Sequence, residues 1–191
     1  RSVFDRVTGA PIWPIEERPV PQSTVPGEES WPTQPFPTKP APFSPQGFTL
    51  ADIADFTPEI RSLATGIVAP FRMGPIYSPP SIEGTIVRPG VIGGAGWGGV
   101  AIDKETGWAY VKASNDPAMM AIAKRDAPSD TIDAPYAIDN TRRALSIRLP
   151  DAVANAGANG GRGGRGSTIP IVKPPYGTLT AIDLNNGETM W

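Results

Sequence analysis

Short runs of alternating apolar and polar residues lead into the same kind of turn three times along the chain. The copies are Val-Phe-Asp-Arg-Val-Thr-Gly at 3–9, Val-Ala-Ile-Asp-Lys-Glu-Thr-Gly at 100–107 and Leu-Thr-Ala-Ile-Asp-Leu-Asn-Asn-Gly at 179–187. In each, apolar residues reach an Asp (Asp5, Asp103, Asp183), and a Gly follows four residues later (Gly9, Gly107, Gly187). Period-two alternation around a glycine turn predicts strand, tight turn, strand. An aromatic follows each turn: Trp13 and Trp191 after the first and third, Trp108 and Tyr110 after the second. One hairpin recurring with an aromatic in a fixed place predicts a repeat architecture of short strands, such as the blades of a propeller.

Between the hairpins the pattern changes. Ten prolines from Pro14 to Pro45 forbid a helix or a central strand, because each removes a donor and fixes φ. Residues 14–45 are therefore expected to be an extended connection anchored by Trp31, Phe36 and Phe43. Residues 49–64 are the helical candidate. Thr49 and Asp52 are placed as a capping box, and Thr57-Pro58-Glu59 supplies an N-cap, a Pro and a first-turn acid, so two short helices are expected. Ile76-Tyr77 and Thr85-Ile86-Val87 look like strands, each stopped by a Pro dipeptide or Pro-Gly. Gly98–Ile102 and Trp108–Val111 make the second hairpin. Residues 116–170 lack the repeat and contain Gly160–Gly166 with Arg162 and Arg165, which suits a flexible insertion. The intervals between the three Asp residues are each about twice an ordinary ~40–50-residue blade. Each is expected to hold a blade with an insertion or a degenerate neighbour.

Composition narrows the chemistry. The 191 residues carry 24 Pro and 21 Gly, so regular structure is sparse. The net charge of −2 comes with scattered basic residues, Arg142-Arg143 and Arg162/Arg165 apart, which argues against a nucleic-acid face. No apolar run is long enough to cross a bilayer. With no Cys and no His, disulfides, thiolate or imidazole metal sites and His-assisted nucleophiles are all excluded within these residues. The chain opens on Arg1 with a repeat under way and stops on the aromatic of another, so both ends are expected to cut through a blade.

The candidate residues divide between scaffold and site. An Asp before a hairpin turn ordinarily caps it, and three identical placements assign Asp5, Asp103 and Asp183 to scaffolding. Trp13 and Trp191 are expected to be buried blade-docking residues. Glu16, Glu17, Glu28 and Glu29 have no assignable partner for acid–base work, and Asn115-Asp116, after the second-repeat strand, reads as strand termination in preference to a pocket-facing pair. The run Gly93-Gly94-Ala95-Gly96-Trp97-Gly98-Gly99 lacks the spacing, Lys and following helix of a phosphate cradle. It reads as a glycine turn with Trp97 packed in the core or as a loop at the edge of a cofactor.

With these features placed, the chain resembles the pyrroloquinoline-quinone (PQQ)-dependent dehydrogenases, in the membrane-bound glucose dehydrogenase-like branch. The resemblance rests on Phe4-Asp5-Arg6-Val7-Thr8-Gly9 leading into 14–22, on 93–99, and on Tyr176–Asp183 ending in Trp191. Thr33–Pro37 and Tyr77–Ser81 add to it, and 116–170 is unmatched. It implies an all-β fold in which residues 1–191 are a partial propeller domain, about two to three blades of an eight-bladed propeller with long Pro/Gly-rich insertions. It implies oxidation of a sugar or alcohol hydroxyl by hydride transfer to PQQ, with calcium beside the cofactor. Electrons would go to ubiquinone or a cytochrome, in the periplasm. The family's catalytic Asp, calcium ligands, stacking Trp and quinone-binding Lys fall before Arg1, so no catalytic or metal-binding residue is carried over. Gly96 and Trp97 are the implied cofactor-binding residues, although many relatives have Asn where this chain has Gly96. The rival expectation is a non-enzymatic propeller or Pro-rich interaction module that presents polyproline surface to a partner.

Overall fold

The computed structural model describes residues 2–91, 93–96, 98–125, 134–139, 145–148 and 168–191. In chain order the elements are β1 (Ile15–Pro19), β2 (Thr33–Pro37), α1 (Pro58–Val68), β3 (Arg72–Met73), β4 (Thr85–Val87), β5 (Val100–Asp103) and β6 (Trp108–Ser114). There follow β7 (Ala118–Met120), β8 (Ile122–Lys124), β9 (Tyr136–Ile138), β10 (Ser146–Arg148), β11 (Thr168–Pro170), β12 (Gly177–Asp183) and β13 (Glu188–Thr189). Short strands and a single helix make the described fold all-β in character.

The second and third hairpins build one four-stranded antiparallel sheet in the order β13-β12-β6-β5. Its centre is the seven-residue pairing of β6 with β12, from Trp108↔Asp183 to Ser114↔Gly177. The copies at 100–107 and 179–187 are thus the two hairpins of one four-stranded sheet, and the repeat counts hairpins. The first copy is a separate small hairpin, closed by the Phe4↔Pro11 bridge and by Ile12 N–H donating to Val3 O at 2.8 Å. It meets the blade at its turn: a Cβ built on Gly187 would lie 2.9 Å from Cζ2 of Trp13. Lys39 adds a bond from Nζ to the Asn186 carbonyl at 3.2 Å.

Alternation along β6 explains which blade face is covered. Ala109, Val111 and Ala113 are buried together with Ile182 opposite them, while Tyr110, Lys112 and Ser114 face the other way with Leu179. Trp191 departs from the sequence expectation: it is 58% exposed, resting beside Tyr110 with ring centroids 6.2 Å apart. No other ring lies against it among the described residues, so it does not act as a core residue here.

The main hydrophobic cluster draws in part on the segments 49–64 and 116–170, which were expected to be insertions. Phe48, Ile53, Ala54, Ala64, Val68, Ile86, Ile147, Ile171 and Val172 pack together. Helix α1 enters from Thr57, whose hydroxyl accepts from Ile60 N–H at 3.2 Å, with Pro58 in the first turn. It buries Ala64 and Val68, one turn apart, and runs past the expected limit at 64. The other expected helix is absent. Thr49 N–H and Oγ both bond to the Asp52 carboxylate at 2.8 Å, but Ile53 and Ala54 then pair with Val172 and Ile171 in extended form. Burying those two side chains in the cluster outweighs the local helix signal.

Other expectations shift for similar reasons. The Pro-rich connection contains a two-stranded sheet of β1 with β2, where every strand is an edge and Pro is tolerated. Trp31 is no anchor, being 73% exposed, whereas Phe36 and Phe43 are half-buried. Ile76-Tyr77 forms a turn, with Tyr77 at φ +67°. Within 116–170, β7 joins β3 and β4, β8 pairs with β9, and β10 pairs with β11, so the part of this span that is described carries strands. The Arg/Gly tract lies outside the described residues.

Candidate functional site

All three Asp turns are built as capped hairpins. Asp5 Oδ1 accepts from Thr8 N–H at 2.7 Å, Val7 N–H at 3.0 Å and the Thr8 hydroxyl at 2.8 Å. Asp103 accepts from Glu105 N–H at 2.9 Å and the Thr106 hydroxyl at 2.8 Å. Asp183 holds Asn185 N–H at 2.9 Å and the Asn186 amide at 3.0 Å. The bonds to Asp5 and Asp103 favour the ionised form, so the Asp5 carboxyl is held below the usual range, chiefly by Thr8 N–H, and that of Asp103 chiefly by the Thr106 hydroxyl. Each carboxylate is engaged by its own turn, as expected of a hairpin cap.

The glycine run sits where the insertion returns to the blade. Gly93 to Gly96, then Gly98 and Gly99, lie along the open face of β5, β6 and β12, enclosing a cleft of about 440 Å³ whose far wall is Tyr110, Lys112 and Leu179. The loop is tied down at its start, since Ser114 N–H donates to Gly94 O at 2.7 Å and Gly93 N–H to Gly90 O at 2.7 Å. Gly96 has φ +51°, and a Cβ built there meets nothing within 4 Å. The same openness holds at Gly93, Gly98 and Gly99. A wall of bare backbone beside one cation, Lys112, suits the edge of a flat ligand. Trp97, the other residue expected at a cofactor, lies outside the described residues.

Behind the loop is a polar network that residue patterns did not reveal. Arg88, only 6% exposed, donates from Nε to the Asn115 carbonyl at 2.7 Å and from Nη1 to Asp52 Oδ1 at 3.0 Å. Asn115 is itself buried, and its Nδ2 donates to Pro175 O at 3.0 Å. Gly90 N–H bonds to Asp116 O at 3.0 Å. The end of β6, the 88–94 segment and the 173–178 segment are thereby joined. Asn115-Asp116 does follow directly on β6, as expected, and the buried Arg is the unexpected part: its sole sequence signal is a cation directly after the strand-like run Thr85–Val87 and before Pro89. Among the described residues no group of three or more His, Cys, Asp or Glu is arranged to hold a metal ion.

A blade of two Asp-capped hairpins, with a preceding hairpin docked on its second turn through a Trp, defines this as a propeller-type chain. The family described as "PQQ: Glucose/ethanol/alcohol dehydrogenase, beta-propeller domain" matches residues 2–191, and the chain belongs to that family. Curated relatives align along nearly its whole length. The quinate/shikimate dehydrogenase (quinone) of Acinetobacter baylyi is 25% identical over 99% of this chain and 23% of its own length. The quinoprotein glucose dehydrogenase of Escherichia coli is 28% identical over 99% and 23%. The glycerol dehydrogenase large subunit of Gluconobacter thailandicus is 28% identical over 99% and 26%. The chain thus spans about a quarter of the length of the curated relatives it matches. No solved structure matches it.

Proposed function

We propose that these residues are one portion of a PQQ-dependent dehydrogenase that oxidises a CH–OH group of a sugar or polyol and passes the electrons to a quinone. The observation that carries this reading is the match of the whole chain to the quinoprotein propeller family, together with the blade it builds. The relatives are named for dehydrogenation of quinate or shikimate, glucose and glycerol, all of them compounds that carry hydroxyl groups on carbon.

The glycine cleft fits the edge of the cofactor and no more. Its bare backbone wall at Gly93, Gly96, Gly98 and Gly99 leaves room for a planar tricycle. A cofactor bearing three carboxylates calls for more cations than the Lys112 that this cleft offers. In this reading Gly96 and Trp97 belong to the loop at the cofactor's edge, and the stacking, calcium and proton-accepting groups come from other parts of the whole protein. PQQ, when bound, supplies the ortho-quinone that accepts hydride, so the chain's lack of His and Cys is no obstacle. What this chain does is hold the glycine loop against the blade through Ser114, Gly90 and the Arg88 network. The missing groups also make the 191 residues inactive by themselves. Calcium as the ion and the periplasm as the compartment belong to the same proposal.

The test is reconstitution of the full-length protein with PQQ and calcium, followed by dye reduction with glucose, glycerol and quinate in turn. Saturable, PQQ-dependent turnover of at least one is expected. Failure of all three in a protein that demonstrably binds PQQ would remove the substrate class, and failure to bind PQQ would remove the reading.

A further inference from the structure

A second cleft, about 450 Å³ in volume, lies on the other side of Ser44 from the glycine loop. Its walls are the aromatic residues Phe36, Phe43 and Tyr77, with Pro40 and Pro42 between them and Arg18 at one side. Phe36 and Tyr77 meet edge to face, centroids 5.4 Å apart at 86°, and the Arg18 guanidinium carbon stands 5.2 Å from the Phe36 ring centre. Enclosure by rings and prolines with a few polar groups is the usual make-up of a small-molecule site.

Tyr77 marks this cleft out. Alone among the described non-glycine residues it has positive φ, at +67°. Its turn is closed by Ser78 N–H and Oγ–H on Pro75 O, at 3.2 and 2.7 Å, and is pinned by Ile76 N–H on Gln46 O at 3.0 Å. A glycine would satisfy that turn without strain, yet the position carries a large ring that walls the cleft. Strained residues of this kind concentrate where a ligand needs them.

The hydrogen-bonding groups select the ligand. Arg18 uses Nε and Nη2 on the Glu16 carboxylate, at 3.0 and 2.7 Å, which compensates its charge. Arg18 Nη1 and the hydroxyls of Ser44 and Tyr77 have no partner among the described residues. No carboxylate lines the cleft. A cleft walled by rings and prolines, with Thr38, Ser44 and Gln46 as neutral polar groups, unengaged donors and a neutralised cation, suits a neutral ring bearing carbonyl oxygens, and disfavours an anion. Its placement is equally specific, because Gly94, in the wall of the glycine cleft, is so close to Ser44 that a Cβ there would lie 2.8 Å from Ser44 Oγ. The two clefts are separated by little more than that contact.

We infer that this aromatic cleft receives the head ring of the benzoquinone electron acceptor; the inference rests on the dehydrogenase reading above. The exchange balances: the substrate's CH–OH group gives up two electrons and two protons in becoming a carbonyl, and the benzoquinone takes up two of each in becoming the quinol.

The experiment uses the full-length protein and 2,3-dimethoxy-5-methyl-1,4-benzoquinone as the probe, with Tyr77→Gly and Phe36→Leu as variants. Equilibrium dialysis needs neither cofactor nor donor substrate, and Tyr77→Gly is expected to weaken the Kd for the benzoquinone about tenfold with an unchanged or higher Tm. In the reconstituted enzyme the ratio of quinone-linked to dye-linked turnover is expected to fall by a similar factor. Equal Kd values for wild type and both variants overturn the inference, as does an unchanged ratio. If Tyr77→Gly lowers Tm, Phe36→Leu decides. A wild-type protein that binds the benzoquinone but not PQQ overturns the dehydrogenase reading and keeps the cleft.

Discussion

Gly9 and Gly187 occupy the same place in two copies of the repeat, at φ +72° and +74°, yet they stand in different surroundings. A Cβ on Gly9 meets nothing within 4 Å, so Gly9→Ala carries only the left-handed backbone cost, about 1 kcal/mol. On Gly187 it would press into the Trp13 ring at 2.9 Å and against Lys39 Cβ at 3.2 Å. Overpacking there adds to the backbone cost, and Gly187→Ala is expected to lose about 3 kcal/mol. Denaturant unfolding of the two full-length variants checks this, and equal losses would mean that Trp13 does not dock on the turn. Asp103 gives a second residue-scale outcome. Its folded carboxyl is depressed, so the stability it adds is full above the ordinary carboxyl value of about 4 and is lost as pH falls through the lowered one. Asp103→Asn is therefore expected to flatten the fall in Tm between pH 5 and pH 2 while leaving the protein at pH 7 less stable than wild type; parallel pH profiles would deny the cap its ionised form. The three Asp caps and their glycines were legible in the sequence because each is satisfied within five residues. Trp191 was not, since its burial depends on what lies beside β13 rather than on β13 itself.

At the scale of elements, local signals were read correctly where nothing distant competed. β4, β5, β6 and the Thr57 N-cap fall where alternation and capping put them. The Thr49–Asp52 signal was equally good locally, but the segment after it is drawn out by Ile53 and Ala54 entering the cluster with Ile171 and Val172. That pairing spans well over a hundred residues of sequence, so no window of neighbours contains it. Arg88 and Asp52 are hidden for the same reason. Their ion pair has Arg88 at 6% exposure and Asp52 at 30%, so the two partners should not be equivalent. Arg88→Ala leaves a carboxylate that water still reaches, and the cost is expected to be about 2–3 kcal/mol, below the ~3–5 kcal/mol of a fully buried pair. Asp52→Ala leaves the more deeply buried cation unpaired and also frees Thr49, so it is expected to cost more than Arg88→Ala. Chemical denaturation of the two variants gives the order, and the reverse order would place the stability of this network in the Asn115 carbonyl bond instead.

At the scale of the whole molecule, one blade face is covered and the other is open, and the two must be judged by different rules. Ala109, Val111, Ala113 and Ile182 are covered within the chain. Leu179 at 55% and Trp191 at 58% exposure lie on the open side with Tyr110, flanking the glycine cleft. In a chain that spans about a quarter of its relatives' length, an apolar face of this kind is where further blades of the propeller stack. The same substitution should then act with opposite sign in two contexts. In the isolated 191 residues the open face promotes association, so Leu179→Lys is expected to shift the chain toward monomer in sedimentation at a given concentration. In the full-length protein the added ammonium enters the seam with the neighbouring blade without a partner, and Leu179→Lys is expected to lower stability by several kcal/mol. A variant that improves the isolated chain and leaves the full-length protein untouched would show that this face stays in water and that no further blade stacks on it.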